Sequence, residues 1–183
     1  MGDPKFPKKK YVTPNHPWMR ARLESEKVLV KEYGIPTKRE LWKMDSIRKK
    51  VTDRVRGMIA DKSEQAQREK KQMAARLYTL GLVESENCDT DRLLGIQLKD
   101  LLERRLQTLV FRKNIAHSMK QARQIIVHGH ICAGNRKLTS PSHVTTRAEE
   151  ALIRVAADSQ FNNPEHPEMA KQVKPKKAVK GAA

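Results

Sequence analysis

The spacing of apolar side chains over residues 98–126 constrains the fold more than any other feature of this chain. In the first part these side chains recur every three or four residues, which predicts one amphipathic helix over residues 98–110. The second part repeats the pattern at Met119, Ala122, Ile125 and Ile126. Ser118 and Gln121 have the spacing of a capping box, and Gly129 can adopt the positive φ that ends a helix. Two short consecutive helices are therefore predicted.

A β-hairpin is predicted directly after the second helix. Residues 131–133 form its first strand, and Gly134-Asn135 forms the turn. The return segment is kinked at residues 140–142, and Val144 continues it as a strand. The predicted unit is thus helix, tight loop, helix and hairpin, within a module that we place at residues 98–147.

The charge of the chain indicates a polyanionic partner. The net charge is +17 over 183 residues, and the sequence pI is about 10.1. Nucleic acid is favoured over an anionic membrane, since no long apolar run or basic amphipathic anchor is visible. Residues 98–144 contain two acids, Asp100 and Glu103, against nine cations: Lys99, Arg104, Arg105, Arg112, Lys113, Lys120, Arg123, Arg136 and Lys137. Arginine grips phosphate with its planar fork, so we interpret the module as an RNA clamp.

The residues before the module predict a small basic helical domain over residues 18–95. Its first helix ends near Gly34 and Pro36, and a Thr37-x-x-Glu40 capping box opens the second. A third helix is predicted over residues 64–80, and an acidic, loop-like stretch precedes the module. The predicted fold class is therefore α+β and mostly helical, with extended basic termini.

Both termini are basic and broken by proline. Residues 1–17 form a predicted extended arm, in which aromatic rings lie among lysines and which orders on RNA. The alternative is a solvated tail with Trp18 packed on its own domain. Residues 148–161 form a C-terminal segment of unassigned structure, and residues 162–183 a disordered lysine-rich tail. Cys88 and Cys132 are expected to be reduced thiols, because they form no Cys-x-x-Cys pair.

Residues 104–144 closely resemble the RNA-binding module of small-subunit ribosomal protein four, in its archaeal and eukaryotic form. The distinctive pieces are RRLQT at 104–108, QARQ at 121–124, HGHI at 128–131 and SPS at 140–142. The same module also occurs in pseudouridine synthases, tRNA ligases and rescue factors, so alone it implies RNA binding only. The N-terminal half supplies the family, through GDPK at 2–5, YVTPNHPW at 11–18 and YGIPTKRELW at 33–42.

The resemblance implies a structural protein of the small subunit of cytoplasmic ribosomes. Members bind small-subunit ribosomal RNA at a multi-helix junction of its 5′ domain and act early in assembly. They lie beside ribosomal protein five, near the messenger RNA entry path, and affect decoding accuracy. An enzymatic activity, a cofactor, a small-molecule substrate and a membrane are not expected.

The residues expected to contact RNA are cationic, aromatic or hydrogen-bonding. They are Lys8, Lys9, Lys10, Tyr11, His16, Trp18, Arg20, Lys38, Arg39, Arg104, Arg105, Arg112, Lys113, Ser118, Lys120, Gln121, Arg123, His128, His130, Asn135, Arg136, Lys137 and Ser140. Replacing Arg105 or Arg123 with glutamate is expected to weaken RNA binding without unfolding the module.

The sequence has three other interpretations: a metal site, an RNA-modifying enzyme, and a rescue or RNA-chaperone factor. His128-x-His130-x-Cys132 resembles a metal site only loosely, since the spacing fits no standard zinc pattern. An RNA-modifying enzyme that carries this module would need a catalytic acid or nucleophile, and Ser118 has no evident base partner. A rescue or RNA-chaperone factor remains the other alternative function.

Overall fold

The structure is a computed structural model and describes residues 9–61, 63–86 and 89–163. The predictions for Lys8, for Cys88 and for the tail from residue 164 onward lie outside the described residues. Eight α-helices run along the described part of the chain: α1 (Arg20–Glu32), α2 (Lys38–Ala60), α3 (Glu64–Thr79), α4 (Thr90–Leu94), α5 (Leu98–Glu103), α6 (Leu106–Arg112), α7 (Met119–Val127) and α8 (Arg147–Leu152).

Three short strands form an antiparallel sheet in the order β2-β1-β3, and a 3₁₀ helix (Gln160–Asn162) follows them. The strands are β1 (Ile131–Ala133), β2 (Arg136–Lys137) and β3 (Ile153–Val155). The predicted α+β, mostly helical fold class is confirmed, and so is the hairpin of β1 and β2.

The first three helices form where the sequence predicts them. Gly34 follows α1 with a φ of +58°, and Ser63 caps α3 by accepting a hydrogen bond from Ala66 N at 3.2 Å. The predicted capping box at Thr37 is wrong in one respect. Thr37 occupies the N-cap of α2, but its side chain makes no capping hydrogen bond. The Glu40 carboxylate turns instead toward two arginines of the module.

The single helix predicted over residues 98–110 is in fact two helices, α5 and α6. Arg105 interrupts it with an extended backbone, φ −74° and ψ 141°, and forms an isolated β-bridge with Val144. The amide of Leu106 donates to the His143 carbonyl at 2.8 Å. The return segment of the hairpin therefore pairs with the chain at this break. The prediction that Val144 continues a strand is wrong, because Val144 forms only this isolated bridge. Apolar spacing persists across the break, so periodicity alone could not reveal it.

The core of the module lies between α6, α7 and the sheet. Leu106, Val110, Ile126 and Ile131 are each fully buried there. Ser118 Oγ accepts from Gln121 N at 3.2 Å as predicted, whereas Gln121 Oε1 accepts from His117 N at 2.7 Å rather than from Ser118. The unassigned segment after residue 147 supplies α8 and β3, which completes the sheet. β3 has only three residues, too few for a periodic signal, and no hairpin turn like that between β1 and β2 marks it in the sequence.

The N-terminal helices pack directly on the module through a shared apolar cluster. Fully buried Leu102 of α5 joins Tyr33, Ile35, Leu41 and Met44 in that cluster. Gln107, itself 1% exposed, donates from Nε2 to Met119 O at 2.8 Å and to Gly34 O at 3.3 Å. The α1–α2 turn is therefore held against the start of α7.

Replacing Gly34 with alanine should loosen this junction. The added Cβ would lie 2.6 Å from Met119 Cβ, and the φ of +58° is strained for any residue with a Cβ. We expect the free energy of unfolding to fall by about 2 to 4 kcal/mol, measured by urea denaturation. Gly57→Ala is the matched control, because its Cβ would meet no atom within 4 Å in a helix. It should stabilise by about 0.5–1 kcal/mol, and equal effects of the two changes would contradict this account of Gly34.

Candidate RNA-binding surface

Arg105 lies inside the protein, and the prediction that it faces RNA is corrected. Its side chain is 1% exposed, and Nη2 donates to Glu40 Oε2 at 2.6 Å. Among the described residues its Nε and Nη1 have no hydrogen-bond partner. A buried cation with one carboxylate partner depends on that partner, since an uncompensated charge in the interior is costly. For the same reason, Arg105→Glu should destabilise the fold, contrary to the expectation from the sequence.

Glu40 holds a second arginine of the module as well. Arg123 Nη2 lies 3.1 Å from Glu40 Oε1, with the arginine side chain 32% exposed. Burial alone would raise the pKa of Glu40, but the hydrogen bonds from Arg105 and Arg123 outweigh it and lower that pKa. One carboxylate of α2 therefore fastens the N-cap of α6 and the middle of α7.

Arg104 and Arg147 tie the module to the end of α3. The Arg104 guanidinium pairs with Glu150 at 2.6 Å and packs over the positive-φ Gly81. Arg147 Nη2 donates to the Val83 carbonyl at 2.7 Å, and its Cζ lies 4.3 Å from the Tyr78 ring centroid. In the isolated chain, these two arginines therefore make contacts within the protein.

Other predicted contact residues of the module also have partners within the chain. Arg112 pairs with Glu103 at 2.8 Å, and Lys137 pairs with Asp158 at 2.6 Å. Burial would raise the pKa of Glu103, but hydrogen bonds from Arg112 and Tyr33 lower it. Lys113 donates to the Glu150 carbonyl oxygen. Because these pairs are at the surface, phosphate can still compete for the cations.

Some predicted residues are exposed and have no ion pair among the described residues. They are Lys9, Lys10, Arg39, Lys120 and Arg136. Asn135, Ser140 and His128 are exposed as well. Lys38 and Arg20 pair with Glu26 and Glu24 of α1. Which of these side chains touch RNA stays a prediction.

A row of cations on α2 was missed as a site, apart from Arg39. Arg39, Lys43, Lys50 and Arg54 are four, seven and four residues apart, which puts them on one face of the helix. We call these four residues the α2 ridge. At 1.5 Å per residue the ridge spans roughly 22 Å. None of its members belongs to an ion pair within the described ranges.

The remaining cations in the middle and C-terminal turns of α2 lie beside acids of the same helix. Asp45 pairs with Arg48 and Lys49 at 2.9 Å each, and Asp53 lies 4.0 Å from Arg56. Burial would raise the pKa of Asp45, but hydrogen bonds from Lys49 and Arg48 lower it. In the described part of the chain, α2 thus has cations with an acidic neighbour on one face and cations without one on another. The spacing of the two acids is the sequence signal that could have revealed the ridge.

The basic arm lies against the same helix. The Tyr11 and Trp42 ring centroids are 6.2 Å apart, and Val12 N donates to Ser46 Oγ at 3.0 Å. Trp18 is 88% exposed, so the alternative in which it packs on its own domain is wrong. The described part of the arm therefore adds Lys9 and Lys10 to a basic face, and Trp18 directly after the arm adds an exposed indole.

Neither a metal-binding cluster nor a membrane-spanning helix is found in the described ranges. Residues 9–61, 63–86 and 89–163 contain no cluster of three His, Cys, Asp or Glu side chains able to hold a metal ion. His130 Nδ1 instead lies 3.0 Å from Ser159 Oγ, and Cys132 is a buried free thiol. Within those ranges, no helix combines the length and the apolar character needed to cross a membrane.

Comparison with known proteins gives a consistent result. Residues 104–147 match the S4 domain family. The small ribosomal subunit protein uS4 of Sulfurisphaera tokodaii is 42% identical over 91% of this chain and 93% of its own length. The uS4 proteins of Ignicoccus hospitalis (44% identical, 88% of this chain and 96% of the relative) and Methanococcus aeolicus (41%, 95% and 98%) are similar over comparable spans.

A helix-rich scaffold that carries an S4 domain, with a face of cations that have no ion pair among the described residues, is typical of an RNA-binding protein. The chain belongs to the family of small ribosomal subunit protein uS4. This confirms the family resemblance of both halves of the sequence.

Proposed function

We propose that the chain is a structural component of the small ribosomal subunit that binds small-subunit ribosomal RNA directly. The family supports this assignment, and the α2 ridge is the single observation that carries the binding mode. Unpaired cations on a rigid helix can neutralise successive phosphates, because they lose little conformational entropy on binding. The proposed location of the chain is the small subunit of cytoplasmic ribosomes.

The expected RNA target is a multi-helix junction in the 5′ domain, bound early in subunit assembly. A junction presents closely spaced phosphates from several helices, which suits a basic surface built from an arm, α2 and a compact module. The protein would lie beside ribosomal protein five near the messenger RNA entry path and contribute to decoding accuracy there. Exposed Trp18 beside the arm suits stacking on an unpaired base of such a junction.

The test is binding to a transcript of the 5′ domain over a range of salt concentrations. We expect log K to fall steeply and linearly with log salt, since each neutralised phosphate releases condensed counterions. Sucrose-gradient sedimentation of cell extracts should place the protein stoichiometrically in small subunits. A flat salt response, or recovery of the protein with stalled large subunits as for a rescue factor, would contradict the proposal.

A further inference from the structure

A cavity at the C-terminal end of α7 has no role in the contacts described so far. Its volume is about 240 Å³, and it is lined by Gln121, Gln124, Ile125, His128, His130 and Phe161. Four of these side chains come from α7 or its end, and Phe161 comes from the 3₁₀ helix that follows the sheet. The cavity therefore exists only because the C-terminal segment folds back onto the module.

Its aromatic walls are held in place before any ligand arrives. The His130 and Phe161 rings meet nearly edge to face, with centroids 4.9 Å apart and an interplanar angle of 69°. Ser159 Oγ lies 3.0 Å from His130 Nδ1 and accepts from Phe161 N at 3.2 Å. Asn162 donates to the Ala156 carbonyl at 2.7 Å, which fastens the 3₁₀ helix to the sheet.

The floor and the rim differ in chemistry. Ile125, 2% exposed, supplies an apolar floor, whereas Gln124 and His128 lie exposed at the rim one helical turn apart. The His128 ring is nearly parallel to that of His130, at 20° with centroids 6.3 Å apart. Lys120, one turn before Gln124, is exposed and belongs to no ion pair in the described part of the chain.

We propose that this cavity binds one unstacked nucleobase of the RNA partner. Flat rings and an isoleucine floor suit the face of a base, and a glutamine amide can both donate to and accept from its edge. A phosphate is disfavoured as occupant because none of the described residues that line the cavity is a lysine or an arginine. Lys120 beside the rim can instead reach the phosphate attached to the bound nucleotide. The proposal rests on the RNA-binding function argued above.

Two variants test the cavity against the transcript of the 5′ domain. Phe161→Leu keeps apolar volume but removes the ring, and Gln124→Ala removes an exposed amide without touching the core. We expect Phe161→Leu to weaken binding roughly 5- to 100-fold, as lost base stacking does, and Gln124→Ala to weaken it about 5-fold, as a lost hydrogen bond does. The salt slope should stay unchanged in both, because no phosphate contact is removed.

Gln160→Ala is the matched control, since Gln160 is exposed beside Phe161 but does not line the cavity. It should bind like the unaltered chain. Wild-type affinity in both Phe161→Leu and Gln124→Ala would overturn the nucleobase proposal, and so would a salt slope that falls together with affinity. Failure of the proposed function looks different, because the unaltered chain itself would then bind the transcript weakly or without salt dependence. Should Phe161→Leu unfold, Gln124→Ala alone decides.

Discussion

Replacing Glu40 with glutamine should lower the free energy of unfolding by about 3 to 5 kcal/mol, the usual effect of removing one partner of a buried ion pair. The Arg105 guanidinium is 1% exposed, and in the described structure Glu40 is the acid that neutralises it. Because glutamine has the same size as glutamate, the decrease in the free energy of unfolding measures the effect of the lost negative charge. Urea denaturation followed by circular dichroism measures it.

Glu24→Gln is the control for this change. It removes the same charge from a helical pair with Arg20, but both side chains are largely exposed, at 62% and 92%. Exposed pairs of this spacing contribute about 0.3–0.5 kcal/mol, so the control should be nearly silent. A similar small loss in Glu24→Gln and Glu40→Gln would mean that the interior arginine does not depend on its carboxylate.

Acid should expose the same interaction. The pKa of Glu40 is lowered from its ordinary value of 4.5, so the folded state binds this proton less readily than the unfolded chain. Stability from Glu40 is therefore complete above the ordinary pKa and is lost as the pH falls through the lowered one. The acid limb of the stability curve should be shallower in Glu40→Gln than in the unaltered chain.

Removing two lysines of the α2 ridge should weaken RNA binding strongly without lowering stability. Lys43 and Lys50 are unpaired in the described structure, so Lys43→Gln with Lys50→Gln breaks no ion pair. We expect affinity for the 5′-domain transcript to fall roughly tenfold for each lost charged contact, about 100-fold together. The slope of log K against log salt should shrink by about 1.5 to 2, since two phosphates keep their counterions.

The matched control lies on the same helix and removes the same charge. Lys49 and Arg56 lie on a different face of α2 from the ridge, beside Asp45 and Asp53, so Lys49→Gln with Arg56→Gln should change affinity and salt slope far less. Filter binding across the salt range compares the two double variants. If both lose the same affinity and the same slope, net charge rather than the ridge governs binding.

Local signals in the sequence predicted most elements of this fold. Ser118 marks a helix start, Gly34 and Gly129 lie at helix ends with positive φ, and Gly134 turns the hairpin. Each of these features depends on a few neighbouring residues, which a sequence displays directly. The break at Arg105 is different, because it forms a β-bridge with Val144, which lies 39 residues later in the chain.

The candidate site was harder to predict because its neutralising acids are remote in sequence. The excess of cations over residues 98–144 suggested an entire module facing RNA. In the structure Glu40 neutralises Arg105 and Arg123, while Glu150 pairs with Arg104, and both acids lie outside that window. A count within one segment cannot detect such partners. Membership of the family was nevertheless predictable. The motifs RRLQT and YGIPTKRELW, which carry the resemblance, also build the junction between the two halves, through Arg105 with Glu40 and Gln107 with Gly34.

The role of each arginine in the module thus depends on its structural surroundings and not on the sequence motif that contains it. Arg105 joins the halves of the protein, and the cations that have no acidic partner among the described residues, above all the α2 ridge, are available to phosphate. A protein that binds folded RNA needs both kinds, because a cationic surface acts as a clamp only when its elements are held rigidly. The Glu40 junction supplies that rigidity to α2, α6 and α7.

Lysine acetylation, mapped by mass spectrometry on the free chain and on its complex with the 5′-domain transcript, tests this division most directly. Each lysine serves as its own reference through the ratio of its reactivity in the two states. Protection of Lys43, Lys50 and Lys120, with Lys49 still reactive in the complex, is the result expected from the structure. Protection of Lys49 while Lys43 and Lys50 remain as reactive as in the free chain would place the RNA on another face.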